Sequence, residues 1–178
     1  MTDSRERPAS KGSPSLARFL TAALAFLVLP GMVAFAVPLL ILNPDDSRAF
    51  ALWPGAPLLG AGVFLLLWCV RDFYVEGKGT LAPWSPPQHL VVTGLYRFSR
   101  NPMYVAVMLI LIGWAAGFRS RALTIYAIAA AIAFHLRVVF GEEPWLVRRY
   151  GEEWNRYRVR VPRWFGLRQR QRAPGSGS

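Results

Sequence analysis

The sequence predicts an all-α, multi-pass membrane protein with about four spanning helices, and two observations carry that expectation. Of its 178 residues 53% are hydrophobic, yet it holds 21 Lys plus Arg against 10 Asp plus Glu. These charges are segregated: long apolar blocks alternate with short arginine-rich segments. A soluble basic domain would mix the two kinds of residue, so the net charge of +11 is read as polar loops flanking membrane spans, with no nucleic-acid partner.

The first apolar block covers residues 16–42 and is interrupted by Pro30 and Pro38. It is long enough to cross a hydrocarbon core of about 30 Å even when tilted or kinked. Residues 43–48 read as a short acidic turn. The second block, residues 50–70, carries the small residues Gly55, Ala56, Gly60, Ala61 and Gly62. Small side chains let helix backbones approach closely, so this block is expected to pack tightly on a neighbour. Residues 71–100 are polar and rich in Gly and Pro, and read as a loop. The third and fourth blocks, residues 102–118 and 122–140, are separated only by Arg119, Ser120 and Arg121, which makes them an antiparallel hairpin.

Beyond the fourth block, Glu142, Glu143 and Pro144 are expected to begin a new element. Leu146, Tyr150, Trp154, Tyr157 and Val161 fall on one helical stripe, with Arg148, Arg149, Glu152, Arg156 and Arg160 opposite. That pattern describes an amphipathic helix lying in the membrane interface or roofing a site. The resulting organisation is a disordered N-terminus (1–15), two spanning helices with the start of a loop (16–85), a helical-hairpin region with the interfacial helix (86–165), and a basic flexible tail (166–178).

Orientation follows from the basic segments. Arg5, Arg7, Lys11 and Arg18 precede the first block, Arg71, Lys78, Arg97 and Arg100 fill the central loop, and the tail is more basic still. An even number of crossings puts all of these on one side, which the positive-inside rule makes cytoplasmic. Arg119 and Arg121 on the opposite side are outnumbered. The expected location is the cell (inner) membrane, with both termini cytoplasmic. No cleavable signal peptide is evident, because the polar start leads into an apolar stretch too long for an h-region.

Metal chemistry has little material. The lone Cys69 excludes an internal disulfide, and His89 and His135 are the only histidines, so no metal site is expected. His135, inside the fourth block, reads as a helix-packing residue. Chemistry concentrates instead in two clusters. One is the run Thr93-Gly94-Leu95-Tyr96-Arg97-Phe98-Ser99-Arg100-Asn101-Pro102-Met103-Tyr104 at the entrance to the third helix. There Asn101 reads as an N-cap with Pro102 at the first helical position, and a helix N-terminus favours a bound carboxylate. The other is Arg137 with Glu142 and Glu143. Ionisable groups at the membrane edge need partners or a ligand, and adjacent carboxylates favour a cation. Simple readings exist for both: a plain helix cap with arginines on lipid headgroups, and a snorkelling arginine beside a helix start.

At these two clusters the sequence resembles the isoprenylcysteine carboxyl methyltransferase family, which is related to the phospholipid N-methyltransferases. The resemblance rests on Gly94-Leu95-Tyr96, Arg100-Asn101-Pro102-Met103-Tyr104, Glu142-Glu143, Tyr150-Gly151, Trp154, Tyr157 and Val161-Pro162, in order, over about residues 86–165. It implies a membrane enzyme that uses S-adenosylmethionine to methylate a lipophilic or lipid-modified acceptor. It further implies cofactor contacts from Gln88, His89, Leu90, Val91, Tyr96, Arg100, Asn101, Pro102, Met103 and Tyr104, and from Glu142 and Glu143 for the ammonium group. Arg137 is the candidate for the acceptor's anionic group and, with Glu142, for the catalytic role.

The sequence departs from the family pattern in two places. Asn101 stands where the family has histidine; it keeps a hydrogen-bonding side chain but cannot titrate near neutral pH. Arg137 lies one position from the family's arginine, a rotation of about 100° on a helix. The competing functional readings are an NADPH-dependent membrane reductase of the sterol-reductase type, which has a similar motif, and a non-enzymatic membrane scaffold. Neither the methyl acceptor nor the oligomeric state is legible.

Overall fold

The computed structural model describes residues 28–42, 52–76, 90 and 92–165, and the side chains of 52 and 73–76 are not part of that description. Among the described residues all regular structure is helical. We label the helices α1 (Val28–Ile41), α2 (Leu52–Glu76), α3 (Pro102–Phe118), α4 (Arg121–Tyr150) and α5 (Glu152–Arg160). A 3-10 turn, Gly94–Arg97, precedes α3.

Two segments, Trp53–Asp72 and Arg121–Tyr150, are long and apolar enough to cross a membrane, and only 22% of each is buried inside the protein. A core helix of a soluble protein would be covered by its neighbours. Here Phe64, Leu67, Ile125, Ile128 and Ile132 are all exposed, a surface suited to lipid. α3 has 17 residues, at the lower end of the roughly 17–25 needed to span. It is the most enclosed helix, with Val107, Ile110 and Leu111 in the core with Leu66 of α2 and Ala34 of α1. The chain is a helical membrane protein, as expected.

The small residues of α2 do what the sequence suggests. A Cβ placed on Gly62 would lie 2.6 Å from the Ile110 side chain and 2.8 Å from the Ala106 carbonyl. On the facing helix, a Cβ on Gly113 would lie 2.8 Å from the Leu59 amide nitrogen. At both glycines the backbone of one helix lies directly against the facing helix, leaving no room for a side chain there, which favours dispersion contact where hydrophobic driving force is absent.

Two prolines shape the bundle through one device. Pro38 and Pro144 have no N–H and crowd the carbonyl one turn back. In each case the helix widens into a π turn just before the proline: Met32–Ala36 before Pro38 and Arg137–Glu142 before Pro144. The residue preceding each proline then donates five residues back, Val37 to Met32 and Glu143 to Val138. In α1 this leaves the carbonyls of Val33 and Ala34 to other donors. The Tyr126 hydroxyl of α4 donates to Val33 O at 3.0 Å, and the Trp114 indole N–H of α3 donates to Ala34 O at 3.0 Å. Side chains from the hairpin thus satisfy backbone groups that lipid could not.

The hairpin turn is as short as expected. Arg119 takes a left-handed conformation (φ 51°), and the Ser120 hydroxyl caps α4 by accepting from Leu123 N at 3.4 Å.

Three expectations need correction. The polar loop does not start at residue 71, because α2 continues to Glu76; the carboxylate of Asp72 is tolerated there because Leu95 N–H donates to it. The fourth helix does not end near residue 140, because the π turn carries it past Glu142 and Glu143 to Tyr150. The amphipathic segment is not one helix, because Gly151 (φ 51°) breaks it into the end of α4 and α5. Its apolar stripe nonetheless forms one cluster, with Trp154, Tyr157 and Val161 packed against Leu146, Tyr150 and Leu90. The readings of residues 1–15, most of the first block, the turn at 43–48 and the tail 166–178 lie outside the described residues.

Candidate functional site

The site is built where the 3-10 turn, the start of α3, the π turn of α4 and the segment after α5 converge. The floor is apolar. Tyr96 and Tyr157 are both buried, and the Tyr157 hydroxyl donates to Tyr96 O at 2.7 Å. Burial raises the pKa of both phenols, so both stay neutral. Beneath the turn, Asp72 accepts from Leu95 N at 3.1 Å. Gly94 has φ 55°, and a Cβ there would collide with Asp72 Oδ2. Glycine is needed at this position both for its dihedral and for the space the carboxylate takes.

The entrance to α3 departs from the expected cap. Asn101 occupies the N-cap position but its side chain makes no capping bond. Its Nδ2 instead donates to Arg163 O at 3.0 Å, and Ser99 Oγ accepts from Asn101 N at 3.1 Å. The side chain that stands in for the family's histidine thus serves to hold the segment after α5. Arg100 N–H donates to Pro162 O at 2.9 Å, which fastens the same segment one residue earlier. Pro102 is buried at the first helical position, as the sequence suggests, and Met103 packs on the core.

The two glutamates are brought to this entrance, but into different surroundings. Glu143 is enclosed. Arg100 Nη1 donates to its Oε1 at 2.9 Å, Arg163 Nε to the same oxygen at 2.8 Å and Arg163 Nη2 to Oε2 at 2.7 Å. The Arg100 guanidinium lies 5.6 Å from the Trp154 ring centroid, a cation–π arrangement. Burial lowers the Arg100 pKa, with Glu143 opposing; hydrogen bonding to Glu143 raises that of Arg163. Both remain cations, and the pairs count for more than surface pairs because side-chain exposure is only 12% for Arg100 and 17% for Glu143.

Glu142 is more open, at 35% side-chain exposure. Its Oε1 accepts from the Tyr104 hydroxyl and from Arg137 Nε at 2.9 Å. Arg137 Nε also lies 3.0 Å from the Tyr104 oxygen, and the arginine itself is 61% exposed. The π turn sets this contact, since Arg137 and Glu142 are its first and last residues. Tyr104 packs against Phe134 and Trp164, and the Trp164 ring lies 6.1 Å from the exposed His135.

Of the candidate residues, the structure therefore brings Tyr104, Arg137 and Glu142 into one hydrogen-bonded group and Arg100 and Glu143 into a second. Asn101 links the segment after α5 to the start of α3, Pro102 opens that helix, and Tyr96 lies below. Leu90 belongs to the apolar cluster of α5. Gln88, His89 and Val91 lie outside the described residues. Sequence reasoning missed Asp72, Arg163 and Trp164. Asp72 had a signal, an acidic residue closing an apolar block at the membrane edge. Arg163 and Trp164 follow directly on Val161-Pro162, where the motif reading stopped.

Residues 50–153, more than half of the chain, match the family model described as phospholipid methyltransferase. No curated protein and no solved structure gives a significant match.

Proposed function

The chain belongs to the phospholipid methyltransferase family, and from that membership we propose that it transfers a methyl group from S-adenosylmethionine to a lipophilic or lipid-modified acceptor at the membrane edge. The observation that carries the cofactor reading is the donor set at the π turn. Glu142 is a partly exposed carboxylate next to the Tyr104 hydroxyl, and a few ångströms along the chain Arg100 and Arg163 gather around Glu143. A zwitterionic amino-acid group, with one ammonium and one carboxylate, is complementary to such neighbouring anionic and cationic groups.

When bound, the cofactor would supply an electrophilic methyl on a sulfonium, open to in-line displacement. The chain's own task is then positioning and exclusion of water. Glu142 and Tyr104 would hold the amino-acid end, and the Gly94–Arg97 turn, braced by Asp72, would fix the distance between the loop before α3 and α4. Arg137, exposed and on the same carboxylate, would meet an anionic group of the acceptor. The packed rings of Phe134, Tyr104 and Trp164, tilted and edge-on to one another, give that approach an apolar wall suited to an acceptor arriving from the bilayer. Asn101 is used structurally and does not titrate, so an acceptor that reacts here would arrive already deprotonated or lose its proton to another group.

In the cell this arrangement suits a protein of the inner membrane with its site and both termini on the cytoplasmic side, where the cofactor is found. The direct test is incubation of the detergent-purified protein with methyl-labelled S-adenosylmethionine and lipid extract. Label transferred into the lipid fraction supports the reading, and transfer no greater than with heat-inactivated protein refutes it.

A further inference from the structure

The adjacent carboxylates of Glu142 and Glu143 are held so differently that they cannot share one role. Glu143 takes three charge-assisted bonds from two arginines, Arg100 and Arg163. Glu142 shares its oxygen with a neutral tyrosine and one mostly exposed arginine, and is twice as exposed as its neighbour.

Arg163 is the unusual member. It lies outside every helix, in the short strap of residues 161–165 that follows α5, and bonds in two directions at once. Its guanidinium grips Glu143 by two nitrogens, at 2.8 and 2.7 Å. Its carbonyl accepts from Asn101 Nδ2 at 3.0 Å and from Ser99 Oγ at 3.4 Å. With the Arg100 N–H on Pro162 O, these bonds tie the entrance of α3 to the turn of α4 that carries both glutamates. The two-nitrogen fork fixes orientation as well as distance, which a lysine could not reproduce.

Charge decides what remains for a ligand. Around Glu143 stand one carboxylate and two guanidiniums, a local excess of one positive charge. A ligand ammonium placed there would be a third cation on a single carboxylate. Around Glu142 one carboxylate faces one guanidinium, which is neutral and far less hostile to a cation.

We propose that Arg163 is a positioning residue, which commits Glu143 to a clamp between strap, α3 and α4 and leaves Glu142 alone to receive the ammonium of the bound cofactor, with the cationic side of the clamp toward the cofactor's carboxylate. The assignment rests on the cofactor reading given above.

The test compares two ligands by calorimetry on the full-length protein in detergent: S-adenosylhomocysteine, and methylthioadenosine, which keeps the adenosine and thioether but lacks the amino-acid group. Glu142→Gln should weaken S-adenosylhomocysteine about tenfold or more, the size of a lost charge-assisted bond, and leave methylthioadenosine unchanged. Arg163→Met should also weaken S-adenosylhomocysteine selectively. Arg163→Lys, which keeps the charge and is the milder change if the methionine variant does not fold, should recover only part of the loss. Glu143→Gln should do no more harm than Arg163→Met, and the double variant no more than either.

If Glu143 were instead the ammonium ligand, freeing it by Arg163→Met would tighten S-adenosylhomocysteine, and Glu143→Gln would exceed Glu142→Gln; either result overturns the proposal. A lower melting temperature with unchanged discrimination between the two ligands would reduce Arg163 to a stabilising role and overturn it as well. Absence of binding by the unaltered, folded protein would overturn the cofactor reading itself and the assignment with it, whereas binding by that protein with contrary variants overturns the assignment alone.

Discussion

The backbone N–H of Leu95 donates to the buried carboxylate of Asp72 at 3.1 Å, joining the C-terminal end of α2 to the turn that leads into the candidate site. The carboxylate occupies the space a side chain at position 94 would need. Gly94→Ala should therefore lower the melting temperature in detergent markedly, since it adds both a clash and a strained dihedral costing about 1–3 kcal/mol. Asp72→Ala should destabilise by a similar amount, because a buried amide loses its acceptor. A thermal melt of each variant checks both, and an unchanged transition would show that the brace is not needed.

Packing in the membrane half gives a separate expectation. Trp114→Phe keeps the ring but removes the donor from the Ala34 carbonyl. Hydrogen bonds between membrane helices are worth about 0.6–2 kcal/mol, so the effect on stability should be modest. Ligand binding should stay unaltered, because Trp114 lies in the half of α3 away from Tyr104. Gly113→Val should be far worse, since its side chain would meet the α2 backbone. Comparing melting temperatures of the two variants separates a lost bond from a lost contact.

Within the site, Tyr104→Phe should lower methyl transfer about tenfold or more by removing the hydroxyl that donates to Glu142, with only a small change in melting temperature. Arg119→Gln, in the turn at the other end of the hairpin, should leave ligand binding and turnover as they are. Turnover and binding constants for both variants, measured side by side, check this, and equal losses would contradict the geometry.

Orientation is testable through the lone cysteine. Cys69 is fully buried, so the unaltered protein is a quiet background for a membrane-impermeant thiol reagent. Arg121→Cys should react from outside intact cells, whereas a cysteine added after Ser178 should react only once the membrane is opened. The reverse pattern would turn the protein over and put the site on the wrong side for a cytoplasmic cofactor.

Much of this was legible in the sequence because it depends on local rules. The hairpin follows from three residues between apolar blocks, and the close packing of α2 on a neighbour follows from its small residues such as Gly62, although Gly113 on the facing helix emerged only from the structure. The stripe from Leu146 to Val161 survives as a cluster even though Gly151 breaks the helix. The family resemblance implied only that Arg100, Tyr104, Glu142 and Glu143 share one cofactor site; the pairing of Arg100 with Glu143 and of Tyr104 with Glu142 was not legible, since residues about forty positions apart share no periodicity. The π turns were invisible because Pro144 reads as a helix start when nothing shows that the preceding turn can widen. The double use of Arg163 was equally hidden. Its fork and its carbonyl serve partners on two other elements, and no spacing rule encodes a strap that folds back over a helix entrance.

Whether this site holds S-adenosylmethionine is read out by calorimetric titration of the detergent-purified protein with S-adenosylhomocysteine, using NADPH as the control ligand. Saturable one-to-one binding of S-adenosylhomocysteine, with no heat from NADPH, is the result expected. A folded protein that binds NADPH, or neither ligand, would contradict it.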